Sequence, residues 1–449
     1  MTFTPSARCL WFIGFFFVPV CLLPAFIRNG EVYVALSAVI VLSIGLFDLL
    51  VSKNNLDGLA FVLPEQIRAV VHRQQSLPIE VRRQASARFA PHVIRIAVAL
   101  PRDVDPVRDD MVMTVPELHH GAASELLFFA STRGEFSITQ AFLGAASWLR
   151  LWQIRRAIPI QATILIEPPL SKIAKQAAMV LATHRRGGQR LLPQNGRGRE
   201  FEQLREYVPS DDLGDIDWKA TARRHHPIVR DYQIERTQDV YACIDFSRLS
   251  GRSVIGIDGQ RTTMLDAYIS SALMLHYAVR ESGDRFGLVT FSNRVRYFAK
   301  PSHPGSAERV LRQALYPLQP QMVAPAFDEA SAALLTQAKR RALLVFFTNL
   351  GEPQLAESFL QASRLLSRQH LVLVASPADA YAKPVFSDPE IEDIDDIYGK
   401  LAGHLFWKKL AMLRARLGEM GIRMRALAPD RLGFFAANEY LDIKEKQLL

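Results

Sequence analysis

The sequence predicts an α/β protein whose main body is a doubly wound parallel sheet, preceded by a small β-sandwich-like domain and an N-terminal transmembrane helical hairpin. Three observations predict it. Beyond residue 239, continuously apolar strands alternate with helical patterns, the mark of a parallel sheet covered on both faces. Between residues 54 and 170, short alternating segments are punctuated by proline and aspartate. Ahead of both stand two apolar runs, Leu10 to Ile27 and Val32 to Val51, each close to the roughly 20 residues that a helix needs to cross a bilayer.

Arg28-Asn29-Gly30-Glu31 separates the two runs and is too short for anything but a tight turn, so the pair reads as a hairpin over residues 1–53. A cleaved signal peptide is the rival reading, but the first run is long for an h-region and no small-x-small cleavage site follows it. Arg8 precedes the first run and Lys53, Arg68 and Arg73 follow the second, against Arg28 alone in the turn. The positive-inside rule then places the remainder in the cytoplasm, behind two spans. The three cysteines, Cys9, Cys21 and Cys243, form no pair placed to cross-link the soluble part, which agrees with a reducing compartment.

At 449 residues the chain passes the roughly 250 at which single cores stop growing, so at least two soluble units are expected. Residues 54–170 form the first, with strands at Val93 to Leu100, Glu135 to Phe142 and Ile158 to Ile166. Leu63 to Arg73 has helical spacing and reads as a linker helix, with a place on the membrane surface as the alternative. A helix from Pro169 to Arg185 opens a linker and polar segment, 171–238. The α/β domain, 239–449, takes strands at Val240 to Ile244, Phe286 to Phe291, Arg294 to Phe298, Ala342 to Phe347, Leu371 to Ala375 and Ile422 to Ala426. Its helices are Met264 to Glu281, Ala307 to Tyr316, Phe327 to Lys339, Gln354 to Arg368 and Leu401 to Leu417. Ligands of such sheets bind at the carboxyl ends of the strands. The first strand ends there on Asp245-x-Ser247.

The formal net charge of +9 suits acidic partners, yet the basic residues are spread along the chain and no nucleic-acid motif accompanies them, so no nucleic acid is expected. Arg155-Arg156, Arg185-Arg186 and Lys339-Arg340-Arg341 read as solvated ends of elements, with contact to lipid headgroups as the alternative. No Gly-x-Ser-x-Gly elbow, zinc-ligand cluster or phosphate-binding glycine loop appears. Any use of ATP therefore belongs to a partner.

The polar segment mixes Arg205, Asp211, Asp212, Asp215, Asp217, Trp218, Arg223, Arg230 and Glu235. Near-equal numbers of both charges, with arginine able to form bidentate pairs, read as a structural network. The alternative is a carboxylate cluster, Asp211 to Asp217, serving a membrane-anchored metal-dependent hydrolase. His225-His226 reads as exposed or hydrogen-bonded rather than a ligand pair.

The run Glu200-Phe201-x-x-Leu204-Arg205-x-Tyr207-x-Pro209-x-Asp211-Asp212, then Asp215-Ile216-Asp217-Trp218-Lys219-Ala220-Thr221-Ala222-Arg223, then Arg230 with Glu235, resembles the signature of the bacterial family called domain of unknown function 58. The order of spans, β-rich unit and α/β unit resembles that family too. The resemblance implies a von Willebrand factor A-like α/β domain and a membrane-anchored adaptor or chaperone-like factor. Such a factor works beside a MoxR-type AAA+ ATPase in the assembly or maturation of other proteins, with the client unspecified.

It further implies a metal-ion-dependent adhesion site at the edge of the sheet, where hydroxyls and two carboxylates turn hard oxygens toward Mg²⁺. Here Asp245 and Ser247 match, Leu249 replaces the second serine, Asn349 stands where the second acid belongs, and no Thr is evident around Val323 to Phe327. Ser250 substitutes only if the loop slips by one residue. The site is therefore expected to be degenerate, with no cofactor, and Asp245, Ser247 and Asn349 are expected to meet a protein partner.

Overall fold

The computed structural model describes residues 1–22, 30–57, 59–83, 93–108, 110–115, 121–186, 200–209, 213–224, 226–233, 237–255, 260–378, 382–385, 387, 393–446 and 448. They form two compact units, Met1–Pro168 and Pro169–Leu449.

The first unit begins with β1 (Thr2–Pro5), then α1 (Ala7–Phe12) and α2 (Val18–Cys21), joined through a π turn at Ile13–Phe17, then α3 (Gly30–Ser52). Within α3, Val32–Ser52 has a mean hydropathy of 2.5 and is long and apolar enough to cross a membrane; Ala7–Cys21 is a shorter apolar helical run. Of the expected turn at 28–31, Arg28 and Asn29 lie outside the described residues, whereas Gly30 and Glu31 begin α3; one candidate span is seen where two were expected.

The strands follow as β2 (Leu59–Val62), β3 (Gln66–Val70), β4 (Gln74–Arg83), β5 (Val93–Val98), β6 (Val104–Pro106), β7 (Met111–Thr114), β8 (Gly121–Ala130), β9 (Gly134–Ala146) and β10 (Trp152–Glu167). They build a sandwich of a six-stranded sheet, β1-β10-β9-β5-β7 with β3 also on β10, and a four-stranded sheet, β2-β4-β8-β6. Alternation explains the layers: Leu77, Ile79 and Val81 of β4 and Leu126 and Phe128 of β8 join Ile94, Ile96, Leu143, Ile154 and Ile164 in one core.

Two expectations fail in this unit. Leu63 to Arg73 is not a helix, since β3 lies parallel to β10 and buries Ile67 and Ala69 while Arg68 faces out. Arg155-Arg156 is not the end of an element but lies within β10, its two side chains on opposite faces. The Arg156 guanidinium donates to Leu56 C=O at 2.9 Å and pairs with Asp57 at 3.1 Å.

The second unit opens with α4 (Leu170–Arg186), a hairpin of β11 (Glu200–Glu206) and β12 (Ile228–Gln233) around α5 (Trp218–Arg224), and β13 (Asp239–Asp245). Then come β14 (Ser253–Ile255), β15 (Arg261–Thr263), α6 (Met264–Glu281), β16 (Arg285–Phe291), β17 (Val295–Ser302), α7 (Pro304–Leu315) and α8 (Phe327–Gln337). The chain closes with β18 (Ala342–Phe347), α9 (Pro353–Gln369), β19 (Leu371–Pro377), α10 (Ile394–Glu419), β20 (Arg423–Leu427) and α11 (Leu432–Glu445).

The main sheet has the order β17-β16-β13-β18-β19-β20, every pair parallel except the β16–β17 hairpin. In order of appearance that is 3-2-1-4-5-6, a doubly wound sheet whose winding reverses beside β13. Central strands are buried on both faces, which is why their sequences are continuously apolar. The boundary of α6 is set by a capping box, Thr263 Oγ1 accepting from Asp266 N–H and the Asp266 carboxylate accepting from Thr263 N–H.

The helix α4 differs from its reading as a linker. Ile173, Ala177 and Val180 are buried in the core formed with α6 and α11, so it is part of the α/β layer. No sequence pattern had announced α11. It is fastened through Asp284, whose Oδ2 accepts from Tyr440 OH at 2.5 Å and from Lys444 Nζ at 2.8 Å.

Candidate functional site at the carboxyl edge of the sheet

β13 pairs on both sides, so its last residue, Asp245, sits at the edge where β16 and β18 also end. Asp245 is 2% exposed. A buried carboxylate needs donors, and it has two: Oδ1 accepts from Ser247 N–H at 2.9 Å and Oδ2 from Thr348 Oγ1 at 2.7 Å. Burial still pushes its pKa up, and the hydrogen bonds from Ser247 and Thr348 offset that only in part.

The chain then turns through a 3-10 segment, Arg248–Gly251, closed by Ser250 Oγ donating to Ser247 C=O at 2.7 Å. Ser250 thus caps its own turn and has not slipped into the vacant serine position. Gln321 N–H donates to Phe246 C=O at 2.8 Å, and Arg248 N–H to Val323 C=O at 3.0 Å, which brings the 321–323 segment over the edge. There Gln321 Oε1 accepts from Ser292 Oγ at 2.8 Å. Arg248 forms an ion pair with Glu352.

Asn349 follows Thr348 and is nearly buried, with Oδ1 accepting from Gly351 N–H at 2.9 Å. Gly351 is required in this turn. A Cβ there would stand 2.8 Å from the Phe406 ring of α10 and 3.1 Å from Asn349 Oδ1.

Asp245, Ser247 and Asn349 are thus brought together as expected of them, and the structure adds Thr348 and Tyr268. The Tyr268 hydroxyl is buried without a hydrogen bond, and its pKa is raised, first by burial and then by the Asp245 charge. Ser247 Oγ is likewise buried and makes no hydrogen bond of good geometry. The signal for Thr348 was its place one residue beyond β18; nothing in the sequence marked Tyr268, which reaches the edge from α6.

The residues present do not fit a hard dication. Both oxygens of the single acid are taken by protein donors, the amide that replaces the second acid spends its oxygen on Gly351, and Leu249 offers none. Among the described residues no histidine, lysine or second carboxylate is hydrogen-bonded to Asp245 or Ser247. The buried His276, its pKa pushed down to about 4 mainly by burial, packs against Phe286 at the opposite end of β16. His370 precedes β19, also at the amino edge.

Part of the polar segment lies among the described residues. Asp217 caps α5, its Oδ1 accepting from Lys219 N–H and Ala220 N–H at 3.0 Å each. Trp218 is 71% exposed and Arg223 is exposed. Arg205 donates to Glu206 C=O at 3.2 Å. His226 is exposed, with Nδ1 2.8 Å from Arg224 C=O and Nε2 3.4 Å from Glu206. Asp211, Asp212, His225 and Glu235 lie outside the described residues, as do the side chains of Asp215 and Arg230.

The strand order is that of a von Willebrand factor A-like domain, with an Asp-x-Ser turn at the carboxyl edge of its first strand. Residues 203–396, somewhat under half of the chain, match the family described as "Protein of unknown function DUF58". Uncharacterized proteins of Mycobacterium tuberculosis and Mycobacterium bovis are 25% identical over 210 residues, 46% of this chain and 61% of theirs. The match thus spans under two thirds of those relatives. Among solved structures, similarity is found to an aerotolerance-related membrane protein of Bacteroides fragilis (17% identity, 46% of this chain, 99% of that one, TM-score 0.30). A second is BatB of Bacteroides thetaiotaomicron (12% identity, 46% and 99%, TM-score 0.29). The SpRpn10 VWA domain is a third (11% identity, 45% and 95%, TM-score 0.30).

Proposed function

We propose that this is a membrane-anchored, non-enzymatic adaptor whose α/β domain recruits a protein partner at the carboxyl edge of its sheet, around Asp245, Ser247 and Asn349. The observation that carries the reading is the state of that edge. One buried acid, satisfied by its own fold, is gathered with Ser247, Thr348 and Tyr268 where three parallel strands end, polar groups in excess of what the strand ends need for packing, with Asn349 following at the rim. A MoxR-type AAA+ ATPase is the partner that the family resemblance implies, with assembly or maturation of other proteins as the task. The hydrolase alternative loses support from Asp217, whose carboxylate is engaged as a helix cap.

For the anchor, β1 and β10 support two crossings. β1 precedes both apolar runs and pairs with β10 of the sandwich that follows them, so the two ends of the apolar region belong to one folded unit on one side of the bilayer. An even number of spans satisfies that pairing. The side is the cytoplasm by the charge argument.

The test is a pull-down of detergent-solubilised protein from native membranes, with and without Mg²⁺ and ATP, comparing wild type with Asp245→Ala. Recovery of an AAA+ ATPase that weakens in the variant and is indifferent to Mg²⁺ on this chain is the expected result. Recovery of no ATPase under any condition would sink the partner assignment.

A further inference from the structure

The outer face of the six-stranded sheet in the N-terminal unit carries a cavity of about 990 Å³ lined by Arg8, Arg95, Arg150 and Arg155 against one acid, Asp110. Among the described residues none of the four guanidinium groups has an ion-pair partner. Register explains how two of them meet. Arg155 of β10 and Arg95 of β5 both pair with Gly144 of β9, so the three share one row and one face, the face opposite buried Ile154, Ile94 and Leu143. Two strand spacings put the arginine Cα atoms about 10 Å apart. Between them lies a glycine, and on the neighbouring rows of β9 and β10 stand Ala146 and Ala157. The result is a gap over Gly144 between two arginines, bounded on the next rows by Phe142 beside Ala157 and by Gln153 beside Ala146.

Its place in the unit adds the second observation. Asp48, near the end of α3, accepts from Ser147 Oγ at 2.5 Å and Leu149 N–H at 2.9 Å, and Trp152 Nε1 donates to Gly45 C=O at 2.9 Å. The 147–152 turn is therefore clamped to the end of the candidate span, with Trp148 and Leu149 exposed on it, the kind of residues found at a bilayer interface. Arg150 belongs to this turn, and Ser6 Oγ donates to its carbonyl at 2.6 Å, just before Arg8 enters α1. The cavity thus opens on the same turn that is fastened to the end of the candidate span.

We propose that this face is an anion site in which Arg95 and Arg155 close from either side on a phosphate group held above Gly144, with Arg8 and Arg150 lining the same cavity. Guanidinium groups take phosphate oxygens in bidentate geometry, and four unpaired cations attract one anion more strongly than any of them does singly. The phosphate is borne by an anionic lipid headgroup or is free in solution, and the site serves either without reference to the partner at the other unit.

The test uses the full chain in detergent. In one arm, native mass spectrometry compares retention of phosphatidylglycerol and phosphatidylcholine from equimolar mixed micelles; in the other, calorimetry follows inorganic phosphate. Two variants accompany the wild type: Arg95→Gln with Arg155→Gln, and Gly144→Val. The valine keeps every charge and places its side chain between the two arginines, where a Cβ meets Arg95 Cβ at an ordinary 3.6 Å. Expected is a preference for the anionic ligand of about tenfold or more, lost in both variants while the melting midpoint holds. Enrichment of phosphatidylglycerol without uptake of phosphate assigns a lipid source, and saturable phosphate uptake assigns a soluble one. Equal retention of both lipids with no phosphate uptake overturns the site. So does loss confined to the arginine variant, which would leave only general charge attraction.

Discussion

Two aspartates in this chain are buried with the same kind of donors and yet do different things. Asp48 accepts from the Ser147 hydroxyl and the Leu149 N–H; Asp245 accepts from the Thr348 hydroxyl and the Ser247 N–H. Around Asp48 the bonding continues until it closes: Ser147 Oγ also accepts from Trp152 N–H, Ser52 Oγ accepts from Trp148 N–H, and Trp152 reaches Gly45. Around Asp245 it stops short, leaving Ser247 Oγ and Tyr268 OH unpaired. A closed polar cluster holds a structure together, whereas one whose hydroxyls are left over at a strand edge is not explained by fastening alone. The first aspartate is a fastener, and the second is the one we propose as a site.

The largest effect that would break this comparison lies at Asp48. Asp48→Ala leaves the Ser147 hydroxyl and the Leu149 N–H buried without an acceptor, a loss of about 3 kcal/mol at 1–3 per orphaned group. The melting midpoint of the detergent-solubilised protein, followed by circular dichroism, should fall clearly. A melting curve that does not move would mean that the turn is held by packing alone.

Asp245→Asn should do the opposite. Asparagine matches the volume, keeps an acceptor for Ser247 N–H and removes the buried charge, so stability at neutral pH should be unchanged or higher while partner recovery falls. The dependence on pH has a definite sign. Burial raises the folded pKa of Asp245, so the native state holds its proton more tightly than the unfolded one. That contribution is complete below the ordinary carboxylate range and is lost as pH climbs through the raised pKa. The advantage of the variant should therefore grow as pH rises from about 4, the ordinary carboxylate value. A variant that melts well below wild type at pH 7 would make Asp245 a second fastener.

How far the two regions were legible differs for the same physical reason. The strand ends Asp245, Ser247 and Asn349 could be read because a parallel sheet announces itself in continuous apolar runs and places its site at their carboxyl ends. Tyr268 could not, because a tyrosine on an apolar helix face reads as core until its hydroxyl is seen beside an acid. Asp48 looked like the end of a span; its partners lie about a hundred residues away, beyond any local pattern. β3 was misread because Ile67, Ala69, Val70 and Val71 fit a helix as well as a strand over so short a stretch, and the deciding neighbour is β10. α11 was missed since Asn438, Glu439 and Asp442 interrupt its apolar positions, and its burial depends on α4 and α6.

The smallest prediction sharpens the contrast within one turn. Arg150 closes the segment that serves Asp48, and its φ of 60 lies in the left-handed region that favours glycine. Fastening alone does not require an arginine there, since the turn is held by Ser147, Leu149 and the Arg150 backbone. Arg150→Gly should therefore stabilise the N-terminal unit slightly, by about 0.5–1 kcal/mol of relieved backbone strain, seen as a small rise in melting midpoint. It should at the same time weaken retention of the phosphate-bearing ligand, because one of four cations leaves the cavity. If stability rises and retention holds, Arg150 belongs to neither task. If both fall, the side chain braces the turn, and fastening and binding are not separable at this end of the molecule.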